Sequence, residues 1–497
     1  MPNSSFTVAA DPQDLLPERF VRPFGSAFAG QSRAYLIGLP LLLTVAGLFA
    51  WAIPNNATFV MGSFVGALVS LYILLDIVFR RAPIRLSLLL TMTLLIAYNL
   101  GSLNSWLTVP RANLTVAEYF ARDPAMLARA VGACMVASAL LLFLGQLYER
   151  PVFGENFQIR FDGGSTALIC ISTALVLFTY LTGKIGFMGA AVDDYGKVSP
   201  LAALVIWWSA PAFAYSVCAA FNTRGMSRFV VAFCALVQGV ALIPIGRRIF
   251  AFGILLAMIA TRLGKYRIRL SSLQKLAVCV IGSVLVVTAS VGFVYLRVAV
   301  WGHKGNYTLR QRIEFALNLA HSRSPADILQ MLQQNSSTRT FDIGYFSDLL
   351  DASQRSTPLL GADLVHNLQL MVPTAISADK FGLSMYGEED MANMRWGFSY
   401  TDEANTLLTA GAADFGIVGV LLYPLIAVLL LRTFLEWVQY VTPSKGAVLI
   451  ALAFIHQMLL AEQLPAGYLI QIRNSLILMG ILYVVSIMPK FRLRAPE

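Results

Sequence analysis

Charge is the scarcest ingredient of this chain. Asp, Glu, Lys and Arg together make up 13% of its 497 residues, about half the share of a soluble globular domain. That deficit excludes an ordinary water-soluble enzyme. Cysteine is almost as thin: Cys134, Cys170, Cys218, Cys234 and Cys279 all fall inside apolar runs without CxxC spacing. Buried free thiols are expected, with neither a disulfide framework nor a metal centre. No GxxxxGK[ST] and no GxGxxG after a strand is present, which leaves ATP or dinucleotide use without a visible basis. HExxH and zinc-spaced Cys/His clusters are missing too. The opening MPNSSFTVAADPQDLLPERF has no positive stretch followed by an apolar core, so no cleavable signal is expected and the first span directs insertion. No span is rich in conspicuous mid-bilayer acids and a two-halves repeat is not apparent, which argues against an ion-coupled carrier.

What the chain does have is apolar length. Hydrophobic residues make up 57% of it, mean hydropathy is +0.68, and runs of roughly 20 apolar residues recur. The expected fold is all-α, a polytopic membrane protein of about 12 spans. The spans fall near Tyr35–Ile53, Thr58–Phe79, Leu86–Leu107, Leu127–Tyr148, Ser165–Leu181, Pro200–Phe221, Phe229–Ile245, Ile249–Leu263, Leu276–Val298, Phe415–Leu431, Ala447–Ala461 and Tyr468–Ile487. Their basic turns RRAPIR, ERPVF, NTRGMSR, RLGKYRIR and KFRLR all lie on one side if the N-terminus is cytoplasmic. The positive-inside bias therefore assigns both termini to the cytoplasm. The net charge of +10 is spent in these anchors, and no nucleic-acid partner is expected.

Residues 297–411 form the only long polar interval, and the same bias places it outside. The chain divides into a cytoplasmic segment 1–33, a bundle 34–298, an extracytoplasmic helical loop 299–411, further spans 412–488 and a basic tail 489–497. Within the loop, TLRQRIEFALNLAH has a helical period with Thr308 as cap. SPADILQMLQQ starts a second helix with Ser324 as cap, Pro325 at its first position and Asp327 at its third. Such helices are expected to lie against the mouth of the bundle without forming a separate soluble domain.

Several charges break the pattern. Arg247 and Arg248 sit at the outer end of the hairpin between the seventh and eighth spans, where short loops should lack arginine. They either snorkel to headgroups or hold a phosphate or pyrophosphate, whose oxygens match a guanidinium fork. Arg297 emerges at the outer end of the ninth span, and Arg473 lies inside the twelfth, with Glu462 as a candidate structural partner. A second constellation, Arg395, Asp402, Glu403 and Asn405, stands where the loop re-enters the bundle in RWGFSYTDEANTLL. A carboxylate there can act as general base toward a hydroxyl, while Thr401 or Asp402 can equally cap the following helix. His366 and His456 read as satisfied histidines, and Asp193 with Asp194 as a solvated loop.

The hairpin IPIGRRIFAFGILL, the YLRVA that opens the loop and the DEANTLLTAGAADFGIVGVLLYPLI that closes it resemble the O-antigen polymerase family. These are the Wzy-like oligosaccharide repeat-unit polymerases, with the O-antigen ligases more distant. Glu403 and Asn405 before a short helix ending in Phe415-Gly416-Ile417-Val418-Gly419 match the family pattern. Glutamate at the position of the ligase histidine favours polymerase. The resemblance implies a GT-C-like fold and a metal-independent glycosyltransferase of the bacterial cytoplasmic (inner) membrane, without cofactor. Polyprenyl-diphosphate oligosaccharides would be donor and acceptor, and a chain-length regulator and flippase of the same pathway would be partners. It further implies that Arg247, Arg248 and Arg297 hold the diphosphate, with Arg473, Asn405 and His366 also lining the substrate site. Glu403, with Asp402 beside it, would activate the acceptor, and Arg395 would hold a second phosphate or the sugar chain. A lipid-linked oligosaccharide flippase is the competing expectation.

Overall fold

The computed structural model describes residues 34–80, 83–109, 114–153, 163–182, 200–264, 309–322, 342–373, 387–400, 405–441, 444–460 and 462–487, with isolated positions between them. Among the described residues the chain is helical and contains no strand. Among these residues, eight helices are long and apolar enough to cross a membrane. A membrane-embedded helical protein follows directly from this.

The first four spans are α1 (Leu39–Ala52), α2 (Asn56–Leu75), α3 (Leu86–Leu95) and α4 (Pro124–Tyr148). α3 continues through the wider turn Ile96–Leu100 into Gly101–Thr108. Asp123 caps α4 by accepting the Ala125 N–H at 2.9 Å, and Pro124 takes the first helical position, where no amide partner is needed. α4 is the hub, packing against α1, α2 and α3. Gly132 lets α1 approach closely: a Cβ there would stand 2.6 Å from the Gly47 carbonyl oxygen. Small residues at a crossing are how helices associate where hydrophobic contrast with lipid is lost.

A second group comprises α5 (Gly163–Leu181), α6 (Pro200–Asn222), α7 (Met226–Ile245) and α8 (Arg247–Thr261). Only Gly246 separates α7 from α8, so Arg247 and Arg248 begin a helix and are not loop residues as expected. Of the segments in the long interval, α9 (Leu309–Ser322) matches the first helix read from the sequence. Ser324 and Asp327 form the expected reciprocal cap, at 3.1 and 3.2 Å. Three more helices follow that periodicity alone did not reveal: α10 (Asp342–Arg355), α11 (Ala362–Met371) and α12 (Glu388–Trp396). α10 buries Ile343, Tyr345, Phe346, Leu349 and Leu350 in the same core as α4, so this part of the loop is docked on the bundle.

The chain closes with α13 (Leu407–Val441), α14 (Ser444–Leu459) and α15 (Pro465–Ile487). α14 is buried on all sides from Gly446 to Leu459 and touches α3, α6, α8, α13 and α15, which joins the two groups. The twelve-span expectation is met in part. The eighth and eleventh spans fall on α8 and α14, of only 15 and 16 residues, and the ninth is described only in part, with a shorter apolar helix at Val280–Ala289. The tenth begins eight residues earlier than expected, at Leu407, and breaks at Phe415 (φ −140°, ψ 17°) and Gly416 (φ 60°, ψ −141°). Across that break the chain folds back, because a Cβ on Gly411 would lie 2.4 Å from the Gly419 carbonyl oxygen.

Hydrogen bonds sort the connections between two ends. At one end Glu149 accepts the N–H groups of Leu86 and Ser87 at 2.6 and 3.0 Å, capping α3, whose own N-cap Arg85 cannot do so. Arg262 donates to the Ile77 carbonyl at 2.7 Å and Gln439 to that of Val152 at 3.0 Å. The C-terminal ends of α2, α4, α8 and α13 and the start of α3 thus gather at a single end. The opposite end carries Arg122, the α7–α8 junction, α10 to α12 and the start of α15.

Candidate functional site

The described part of the sequence-derived site divides into two neighbourhoods. Around α11 and the start of α15, Arg248 forms an ion pair with Glu462. Ala466 donates its N–H to Asn367 Oδ1 at 2.9 Å, tying α15 to α11 beside His366. Arg473 donates from Nη1 to the Met371 carbonyl at 2.9 Å and contacts Asn474 Oδ1 at 3.1 Å. The Arg473–Glu462 pair considered from the sequence is therefore not formed. Arg473 lies two turns further along α15 and meets the carbonyl end of α11, where a helix attracts a cation. His366 is half-buried, and burial holds its imidazole below the ordinary histidine range. An apolar cavity of about 250 Å³ opens between these elements, lined by Leu364 and Leu368, by Tyr423, Ile426 and Leu430, and by Tyr468 and Ile472.

The second neighbourhood is the re-entry of the chain into the bundle. Asn405 is half-buried, and its shielded Oδ1 meets no hydrogen-bond donor among the described residues. Thr406 caps the opening of α13 by accepting from the Leu408 and Thr409 N–H groups at 3.0 and 3.2 Å. The cap expected at Thr401 or Asp402 is thus taken by Thr406. Arg395 is exposed on α12 and donates to the Thr357 carbonyl at 3.2 Å. Arg297, Asp402 and Glu403 lie outside the described residues, and Arg247 is placed only by its backbone at the start of α8.

Between the two stands a group that sequence reading missed. Asp414, the last residue before the break, accepts the N–H groups of Asp363 and Leu364 at 3.0 and 2.9 Å and the Tyr423 hydroxyl at 2.5 Å. The N-cap of α11 is Gly361, at φ +89°, which has no side chain to do this. A carboxylate from another helix therefore caps α11, and the helix dipole favours its negative charge. Asp363 and Glu388 are fully buried nearby. Asn367 donates to Asp363 at 2.9 Å and Thr409 to Glu388 at 3.2 Å. One oxygen of Asp363 has no hydrogen-bond partner among the described residues, and the Tyr345 hydroxyl lies beside Glu388. Burial, reinforced by the charge of Asp414, pushes Asp363 up to about 7. Burial, then Asp363, raises Glu388 well above the carboxylate range. The three carboxyls make no metal-holding arrangement among the described residues. The available signal was Asp414 itself, an acid inside an apolar run, which marks a buried polar site by default.

A pH dependence follows from the sign of these shifts. Asp363 titrates near 3.8 when unfolded and near 7 when folded, so the folded state binds the extra proton between those values. Its contribution is complete below about pH 4 and is lost as pH rises to about 7. Purified protein should therefore lose several degrees of unfolding midpoint across that window, and Asp363→Asn should flatten this part of the profile. A slope unchanged in Asp363→Asn would assign it elsewhere.

Comparison with family models, with curated proteins and with solved structures finds no match to this chain.

Proposed function

We propose that the chain is an integral membrane glycosyltransferase that polymerises polyprenyl-diphosphate-linked oligosaccharide repeat units on the outer face of the bacterial cytoplasmic membrane. The product is a surface polysaccharide: an O-antigen, capsule or exopolysaccharide. The observation that carries this reading is the position of Arg248. It begins α8, whose other end is tied to Ile77 through Arg262, the residue that follows α8. Fifteen residues rise only about 22 Å, against about 30 Å for the hydrocarbon layer. The guanidinium, with its Glu462 partner at the end of the equally short α14, is then recessed below the outer surface. A recessed arginine suits an anionic lipid carrier, because its donors are worth more away from bulk water.

Other features support the same assignment. The apolar cavity beside α11 suits the carrier's hydrocarbon chain. The break at Phe415–Gly416 falls where the polymerase-like motif has its FGxxG. In this reading Arg247, Arg248 and Arg297 stabilise the departing diphosphate, and Glu403 takes the proton of the acceptor hydroxyl as it attacks the donor sugar. Arg473, His366 and Asn405 orient carrier and sugar, and Arg395 holds the growing chain. The reaction is metal-independent, the termini are cytoplasmic, and a chain-length regulator and a flippase work beside it.

The test is the polysaccharide pattern of cells carrying Arg248→Ala or Glu403→Gln. Polymer is expected to disappear while single repeats still reach the surface, a loss on the order of 100-fold or more for the base. Repeats retained inside the cell would instead indicate a flippase. Normal chains in both variants would overturn the assignment.

A further inference from the structure

Arg122 belongs to the connection between α3 and α4, far in sequence from the residues assigned to the reaction. Its Nε donates to both oxygens of Asp348 on α10 at 3.0 Å, and Nη2 completes the ion pair at 2.9 Å. Nη1 donates to the Phe120 carbonyl at 2.6 Å. Nη2 also donates to the Tyr400 hydroxyl, which in turn donates to Asp348. Burial and then the Asp348 charge raise the Tyr400 phenol, keeping it a donor. Gly344 leaves the room for this arrangement, since a Cβ there would stand 3.0 Å from the guanidinium carbon.

Tyr400 is held by its backbone as well. Its N–H donates to Asn393 Oδ1 at 3.0 Å, and its carbonyl accepts from Asn393 Nδ2 at 2.8 Å. Tyr345 packs edge-on against its ring at 4.8 Å. At the start of α13, the Thr406 hydroxyl shares a hydrogen bond of 2.6 Å with the Tyr98 hydroxyl of α3's continuation. Tyr400 and Thr406 are thus each fastened to the membrane bundle, one through Arg122 and the other through Tyr98.

We propose that Arg122 is a positioning residue: through Asp348 and Tyr400 it sets the place at which the loop re-enters the bundle beside Asn405. This rests on the polymerase reading above. Arginine is required because one planar fork must serve a carboxylate, a phenol and a carbonyl together, which a lysine ammonium does not match.

The test uses the full chain in lipid nanodiscs, with Arg122→Lys and Gly344→Ala as variants. The second keeps every charge and favours the helix, yet crowds the guanidinium. Hydrogen exchange is read at residues 393–400 and 405–409. Turnover is measured on lipid-linked oligosaccharides extracted from cells lacking this chain. Both variants should exchange faster at Tyr400 and Thr406 with α4 unchanged, and kcat should fall on the order of 100-fold while KM moves little. Unchanged exchange would overturn the proposal. Faster exchange with normal turnover in Arg122→Lys, but none in Glu403→Gln, would also overturn it and leave the polymerase reading standing. Normal turnover in both Arg122→Lys and Glu403→Gln would remove the reaction itself.

Discussion

Gly419→Ala should leave little folded protein in the membrane. A Cβ at this position would lie 2.0 Å from the carbonyl oxygen of Gly411, 2.6 Å from its carbonyl carbon and 2.9 Å from its Cα. Every one of these atoms is backbone, so no flexible side chain can move aside. Overpacked cores ordinarily lose about 1–3 kcal/mol because neighbouring rotamers yield. Here the two arms of the fold-back must separate, and the cost should exceed that range. The separation would also move Asp414 and the Phe415–Gly416 break, which lie between the two glycines. Detergent-extracted, fluorescently tagged protein run by size exclusion gives the measurement: the monodisperse peak should collapse for Gly419→Ala. Gly480→Ala is the control, since a Cβ at Gly480 meets nothing within 4 Å. Equal peaks for both would show that the fold-back is not essential to the fold.

The second large effect is expected at Asp414. Its carboxylate serves three donors: two amides of the first turn of α11 and the Tyr423 hydroxyl. A hydrogen bond to a charged group contributes about 1.5–3 kcal/mol, and a buried donor left unpaired costs its desolvation as well. Asp414→Ala should therefore destabilise the protein by more than about 3 kcal/mol. Asp414→Asn keeps one acceptor oxygen but turns an amide donor toward N–H groups, so it should recover only part of the loss. Tyr423→Phe removes one donor and should cost about 1 kcal/mol. Thermal unfolding of the three variants gives the ranking, and hydrogen exchange over α11 shows whether that helix has come loose. A silent Asp414→Ala would mean that α11 is held by its apolar contacts with α13 and α15 alone.

Much of the architecture was legible because it is written locally. A run of apolar residues announces a span without any knowledge of its neighbours, and seven of the first seven spans correspond to helices of sufficient length. The Ser324–Asp327 cap was readable for the same reason, as its two partners are three residues apart. The short helix before FGxxG was visible as a pattern, but the reversal at Phe415–Gly416 was not. A break in a long apolar run looks the same in sequence whether the chain bends slightly or folds back on itself.

The candidate site was legible only as residue types. Arg248 stood out as a cation in the wrong place, but its partner had to be chosen among acids, and proximity in sequence favoured pairing Glu462 with Arg473. Packing settled it by starting α15 at Pro465, which carries Arg473 about two turns into the helix and away from Glu462. Asp414, Asp363 and Glu388 carried no shared spacing, and Arg122 meets Asp348 across 226 residues.

The order of apolar and polar segments alone thus determined that this chain folds as helices in a membrane. Hydrophobic partition acts on each segment separately, so composition suffices for it. Tertiary structure alone decided which buried charges share a neighbourhood, which carboxylate caps α11 and where two glycines must touch. Those depend on how far each helix extends and at what angle it crosses the next, and no single segment contains that information.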